Sequence, residues 1–466
     1  MCPRDNSYVQ SQLATWHLGY IGVPIAENYP ASEIEYVLKD CGVSLVLTDA
    51  SKAAAIGPVA SALQLPMIEV SRLTPCGPNL EALVKNAPAA SAAAAPAPSH
   101  PEAQPWQDGA DGGAILIYTS GTTGRPKGVL TTHRGLQRQV TALTEAWEWV
   151  SDDHIYSVLP LHHVHAVVAI LNCALWSGAV CELAPRFLAA DTWAALTRPA
   201  GHPQGQLSVF MAVPTVYAKL LEHYDAQTPD TQAAWRAALR PPASRMRLMV
   251  SGSAALPQSI ASRWAEVSGH TLLERYGMTE FAMAISNPYK GERKINSVGQ
   301  PLPGYEMRLA KEPGDTAPPP EGFVNSGEIQ IRGEGVFTEY WGRPDATAES
   351  FDEGGWFKTG DLGALDSTGY TFILGRLSAD IIKSGGFKIS ALDIEREVLL
   401  HPRVGEVAVL GLPDDTWGEK VTAVIALKGA DEAAVAAGAK ALLENPTGLK
   451  DFHNDLKEFL KDKLPP

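Results

Sequence analysis

Two rhythms of apolar and polar positions run along this chain. In YVQSQLATWHLGYIG the apolar residues recur at helical spacing, and GVSLVLTDA further on is an apolar run of strand length. Similar short runs follow and end in glycine or small polar residues: GAILIYTSG, SVFMAVPT, RLMVSGSAA and, later, GEIQIRG. They predict buried strands whose ends face a ligand, because α/β sheets bind ligands at the carboxyl ends of their strands. Helix alternating with strand is the rhythm of an α/β domain. Past Arg376 the texture changes: DIEREVLLHPRVGEVAVLGLP reads helix, turn, strand and predicts a separate small α+β domain.

The most apolar window, Val164 to Ala184, contains His165, Asn172, Ser177, Cys181 and Glu182, so it predicts a buried helix and strand instead of a membrane span. The alanine- and proline-rich stretch from Asn86 to Pro105 reads as an exposed linker or loop, and KEPGDTAPPPEG as a second loop. At 466 residues the chain exceeds what one core usually organises, which predicts two or more domains. The net charge of -14 counts against nucleic acid as a partner. Five scattered cysteines without a CxxC pair suit a reducing compartment. The opening MCPRDNSYVQ has neither a signal peptide's apolar core nor an arginine-rich transit pattern, so the expectation is a soluble intracellular protein.

One segment asks for chemistry. IYTSGTTGRPKGV packs three glycines, four serine or threonine residues and a lysine into thirteen positions directly after an apolar run. Glycines let backbone N–H groups curl around an anion, hydroxyls add donors, and Lys127 can reach back to a phosphate. The spacing is not GxxxxGK, so this is not a Walker loop.

YTSGTTGRPKG resembles the phosphate loop of the adenylate-forming superfamily, which comprises acyl-CoA synthetases, luciferases and adenylation domains. Three further stretches agree in type and order: LERYGMTE with its adenine and magnesium motif, WFKTGD with its ribose motif, and GRLSADIIKSGGFKIS with its hinge and the start of the small domain. The resemblance implies a large multi-layered α/β domain over residues 1–377 and a small, mobile α+β domain over residues 378–466, joined by a hinge at Ser378. It also implies ATP, Mg2+ and the co-substrate CoA: a carboxylate is joined to AMP with loss of pyrophosphate, then passed to a thiol.

Carried over residue by residue, the resemblance implies that Thr119, Ser120, Gly121, Thr122, Thr123, Gly124 and Lys127 cradle the phosphates. Tyr276 stacks on adenine, Gly252, Ser253 and Ala254 line its other side, and Glu274 and Gly277 flank the nucleotide. Thr279 holds the α-phosphate, Glu280 and Thr122 the magnesium, and Asp361 and Arg376 the ribose; an acceptor-only carboxylate suits two hydroxyl donors. Gly385 and Gly386 let the pantetheine arm pass close to backbone. Thr279, Glu280, Lys127 and His163 are the expected catalytic set.

Two departures bear on the acid. PLHHVHAVV carries His162, His163 and His165, which suit an acyl pocket, ordinary core packing or a zinc site. Arg275 stands directly before YGMTE, where many relatives are neutral. A guanidinium there is useless to a fatty acid but can grip the second carboxylate of a diacid; the alternative is a structural salt bridge facing away. These stretches together resemble the malonyl-CoA synthetases, of the eukaryotic type that is mitochondrial in animals. Under that resemblance His163, His165, Arg275 and Met278 form a short, polar pocket for malonate, and the compartment is mitochondrial, with cytoplasm as the alternative. Methylmalonate is an alternative acid.

Relatives carry about a hundred more residues before DNSYVQ and continue past LKEFLKDKLPP with a segment like PRNxxGKIxK, whose lysine bridges the acyl carboxylate and the α-phosphate. The expectation is therefore an incomplete first lobe, a small domain without that lysine, and a weakened adenylation step. In the extreme the chain is a relic that binds nucleotide without turnover. Lys457, Lys461 and Lys463 read as solvated surface charges. The sequence says nothing about oligomeric state.

Overall fold

The computed structural model describes residues 1–70, 112–119, 125–311, 314, 316, 318–378, 380–384, 387–414, 416–428 and 446–461. Its centre is an eleven-stranded mixed sheet. One half is parallel, with neighbours Val180–Leu183, His154–Ser157, Val209–Ala212, Leu248–Ser251 and Leu273–Tyr276. The other half is antiparallel, running through Ile285–Ser286, Ser297–Pro301, Thr371–Arg376, Phe357–Leu365, Asn325–Gly333 and Tyr305–Ala310.

The central parallel strands form because they are apolar on both faces and covered on both. Val209–Ala212 and Leu248–Ser251 are buried at every position. Behind them pack Trp193, Tyr217, Tyr224 and Trp264, all fully buried on three helices. Tyr217 sits 4.9 Å from Trp264 between ring centroids, and its hydroxyl donates to the Val250 carbonyl at 2.9 Å. That bond ties the helix Pro214–Asp225 to the strand that leads into Gly252. The helix itself starts where it does because Pro214 stands at its first turn, where a missing N–H costs nothing.

The apolar window after Val164 forms a buried helix, and every residue from His165 to Asn172 is buried. Its first part is the wide π-helical form, continuing as the α-helix Cys173–Ser177 until Gly178, at φ 72°, ends it in the left-handed region. The strand Val180–Leu183 follows, as the pattern requires. On the buried helix packs a second one, His133–Ala146, capped by Thr132, whose hydroxyl accepts from the Gly135 N–H at 3.1 Å. Leu136, Val140 and Leu143 bury one stripe of that helix, and each such side chain contributes about 1.5–3 kcal/mol.

Two of the four apolar runs expected to end at a ligand do not belong to the parallel sheet. Gly113–Thr119 pairs antiparallel with Lys127–Thr132 in a separate three-stranded sheet with Glu339–Tyr340, so the glycine-rich segment closes a hairpin. Asn325–Gly333 lies in the antiparallel half. An apolar run reports burial on both faces, and burial does not encode which strand is the neighbour. The Asn86–Pro105 stretch lies outside the described residues.

Thr371–Arg376 is the last strand of the large sheet, and Ile381–Ser384 already belongs to a four-stranded sheet with Phe387–Ser390, Gly418–Leu427 and Val404–Asp414. The helix Ala391–Leu399 and the strand Val404–Asp414 match the helix, turn, strand reading. No helix among the described residues is long and apolar enough to cross a membrane.

Candidate active site

Tyr276, at the carboxyl end of the last parallel strand, meets Asp361 and Arg376 of the antiparallel half. Asp361 and Arg376 are direct partners across the antiparallel ladder, with Arg376 Nε 2.8 Å from Asp361 Oδ1. The Tyr276 hydroxyl donates to Asp361 Oδ2 at 2.6 Å. Burial raises the Asp361 carboxyl above the usual range, while Arg376 and Tyr276 pull it back. The pair therefore holds a carboxylate desolvated and fixed, aimed by two donors. Gly277 is constrained by close backbone: a Cβ there would lie 1.7 Å from the Ala282 carbonyl oxygen. Met278 Sδ lies 3.6 Å from the Tyr276 hydroxyl. Glu274 flanks the same strand, its carboxyl pushed up to about 8 by burial, with Arg396 of the small sheet's helix opposing that shift.

On the phosphate side, Thr119 and Lys127 face each other across the hairpin. Ser120, Gly121, Thr122, Thr123 and Gly124 lie outside the described residues, as do Gly385 and Gly386. Lys127 Nζ stands 4.8 Å over the ring of Tyr340, and the Tyr340 hydroxyl donates to Glu280 Oε1 at 2.7 Å. Glu280 is buried beside the half-buried Thr279, and burial raises its carboxyl, opposed first by the Tyr340 bond. Among the described residues no cation pairs with Glu280. The charges of Arg376 and Lys127 act on it from farther away, and a buried carboxylate left without a direct ion pair fits a divalent cation that takes its remaining oxygens from phosphates and water. Among the described residues no group of three His, Cys, Asp or Glu side chains could hold a metal ion. Sequence reasoning missed Tyr340. It lies some sixty residues after Glu280, and no local spacing links the two.

The third group lies on the opposite face of the strand Leu273–Tyr276, because alternate residues point to opposite sides. The Arg275 guanidinium lies against Gly252: a Cβ there would come within 2.6 Å of Arg275 Cζ. Arg275 is 4% exposed, and burial alone pushes it down to about 9, so it stays cationic at neutral pH. Its Nη2 donates to Ser253 Oγ at 3.3 Å, and Ser253 Oγ lies 3.3 Å from His165 Nδ1. Ser253 holds this bridge from φ 71°, a left-handed conformation that costs a serine about 1 kcal/mol or more. Among the described residues no carboxylate pairs with Arg275. Two buried polar atoms here have no hydrogen-bond partner among the described residues: Arg275 Nε and His165 Nε2. Burial and the neighbouring Arg275 charge hold His165 well below its usual range, so it is neutral. Ala254 beside them is exposed.

His163 does not join this group directly. It is exposed, stacks at a tilt on His162 with ring centroids 4.2 Å apart, and borders a largely apolar cavity of about 1250 Å³. That cavity reaches Val213 but not Arg275, Tyr276 or Asp361.

Residues 1–341 match the family model described as AMP-binding enzyme, and residues 393–466 match that of the AMP-binding enzyme C-terminal domain. The mitochondrial malonate–CoA ligase ACSF3 of Mus musculus is 42% identical over 100% of this chain and 76% of its own length. A malonate–CoA ligase of Arabidopsis thaliana is 38% identical over 98% of this chain and 71% of its own. Among solved structures, ATP-bound MatB from Rhodopseudomonas palustris superposes with a TM-score of 0.77 at 31% identity, covering 100% of this chain and 81% of its own. A malonyl-CoA ligase ternary product complex with methylmalonyl-CoA and AMP gives 0.64 at 35% identity, covering 93% and 82%.

Proposed function

The chain belongs to the AMP-binding enzyme family, and from that premise we infer that it is an ATP-dependent ligase joining malonate to CoA, with AMP and pyrophosphate as the other products. The observation that carries the choice of acid is Arg275: a buried cation with no carboxylate paired to it among the described residues, one residue before Tyr276. Malonate supplies the missing anion. One carboxylate is consumed in forming the acyl-AMP, and the other meets Arg275, with the unpartnered Nε of Arg275 and Nε2 of neutral His165 as the further polar groups of the pocket. Monocarboxylic acids leave the guanidinium unpaired, a loss of roughly 3–5 kcal/mol.

In this reading Tyr276 packs on adenine, Asp361 and Arg376 take the ribose, and Thr279 with the hairpin's Thr119 and Lys127 holds phosphate. Glu280 would hold Mg2+, and the ion would supply positive charge at the phosphates. Ser378, between the last strand of the large sheet and the first of the small one, is the hinge dividing domains 1–377 and 378–466, and Gly385 and Gly386 border the path of the thiol. The mitochondrial relatives make the mitochondrion the proposed compartment. Methylmalonate is a second reading, favoured by the neighbour holding methylmalonyl-CoA.

Malonate-dependent ATP–pyrophosphate exchange, followed by CoA-dependent release of malonyl-CoA, tests the proposal. Exchange with malonate and not with acetate or propionate is the expected outcome. Exchange highest with methylmalonate favours the second acid, and ATP binding without exchange for any diacid removes the ligase reading.

A further inference from the structure

Tyr340 sits where three segments meet. Its strand, Glu339–Tyr340, pairs with Lys127–Thr132, the strand that leaves the glycine-rich hairpin. On either side the backbone continues the join: Thr338 N–H bonds to the Leu130 carbonyl at 2.9 Å, and Trp341 N–H to the Gly128 carbonyl at 2.8 Å. The Phe337 N–H donates to the backbone carbonyl of Glu280 at 2.6 Å. The side chain then links the two charged groups themselves, with its ring under Lys127 Nζ at 4.8 Å and its hydroxyl on Glu280 Oε1 at 2.7 Å. The ring is packed at 4.7 Å from Phe337 and the residue is buried, so it has little freedom to leave.

From this geometry we propose that Tyr340 is a positioning residue for the magnesium–nucleotide site: its hydroxyl orients the Glu280 carboxylate and its ring holds Lys127. The inference rests on the reading of Glu280 and Lys127 as nucleotide-site residues. A buried carboxylate otherwise rotates among several orientations, and a hydrogen bond to a charged acceptor is strong enough to select one. The ring does the same for a flexible lysine through the attraction of a cation to its face. One side chain thereby sets the spacing between the metal ligand and the phosphate-binding cation before ATP arrives.

The test is calorimetric titration of the full chain with ATP, in Mg2+ and in EDTA, for wild type, Tyr340→Phe, Glu280→Gln, the double variant and Tyr340→Leu, each checked for unchanged melting. Tyr340→Phe keeps the ring and loses the hydroxyl. It is expected to weaken MgATP binding about tenfold, leave metal-free ATP unchanged, and add nothing in the Glu280→Gln background. Tyr340→Leu is expected to weaken metal-free ATP as well, because Lys127 loses its platform. Wild-type MgATP affinity in Tyr340→Phe, or a loss fully additive with Glu280→Gln, overturns the role of the hydroxyl. Unchanged metal-free affinity in Tyr340→Leu overturns the role of the ring. If Glu280→Gln keeps the full Mg2+ effect, the reading of Glu280 as metal ligand falls first, and the inference with it.

Discussion

The Arg275 guanidinium occupies the space that a side chain on Gly252 would need; a Cβ there would come within 2.6 Å of both Arg275 Cζ and Nε. The glycine is thus set by the guanidinium packed against it. Gly252→Ala should push the guanidinium out of register with Ser253 and raise KM for malonate by about tenfold, since a hydrogen bond to a charged group is worth about that much. Steady-state exchange kinetics with varied malonate check this.

Arg275 also sets function against stability. A buried cation without a counter-ion is costly to the folded state, and replacement by leucine removes that cost. Arg275→Leu should therefore raise the melting temperature of the ligand-free protein, by about 2 °C or more. Differential scanning calorimetry reads it, and a lowered Tm would mean that the guanidinium is held by stronger partners than Ser253.

His165 predicts an acid-sensitive fold. Its pKa in the folded state is held well below the ordinary 6.5 by burial first and then by Arg275 and His163, and Ser253 Oγ lies 3.3 Å from its Nδ1. The neutral form is the folded one, so its contribution is complete above pH 6.5 and declines as pH falls below that value, by about 1.4 kcal/mol per pH unit until the folded group itself protonates. His165→Asn should flatten the dependence of the urea midpoint on pH between 6.5 and 5 by about one proton. Equal slopes in both proteins would show that His165 is already charged in the fold.

Asp361 accepts from Tyr276 and pairs with Arg376, both of which the proposal places at the nucleotide. Asp361→Asn keeps the shape and removes the charge, leaving Arg376 unpaired and one acceptor lost to the ribose. AMP binding should weaken about ten- to a hundredfold. Titration with AMP measures it, and an unaltered Kd would take Asp361 out of the ribose site.

Much of this was legible in the chain because it is written locally. The glycine- and hydroxyl-rich hairpin, the run from Glu274 to Glu280 and the pair Asp361 and Arg376 each sit in a continuous motif, and the last two are joined by simple ladder register. Arg275 stood out because it stands directly before YGMTE, where many relatives are neutral. Pairing across long separations was not legible. The antiparallel placement of Asn325–Gly333 and the contact of Tyr340 with Glu280 depend on which distant segments the sheet brings together. His163 shows the same limit: two residues from His165, it lies where the helix has not yet begun and turns toward a different cavity.

The central claim is that Arg275 recognises the far carboxylate of a diacid, and the ratio of malonate- to propionate-dependent ATP–pyrophosphate exchange tests it most directly. In Arg275→Leu, kcat/KM for malonate should fall by about two to three powers of ten while propionate and the Kd of ATP stay near wild type, so the ratio collapses. A ratio that survives the substitution, or an equal loss for both acids, would contradict the account.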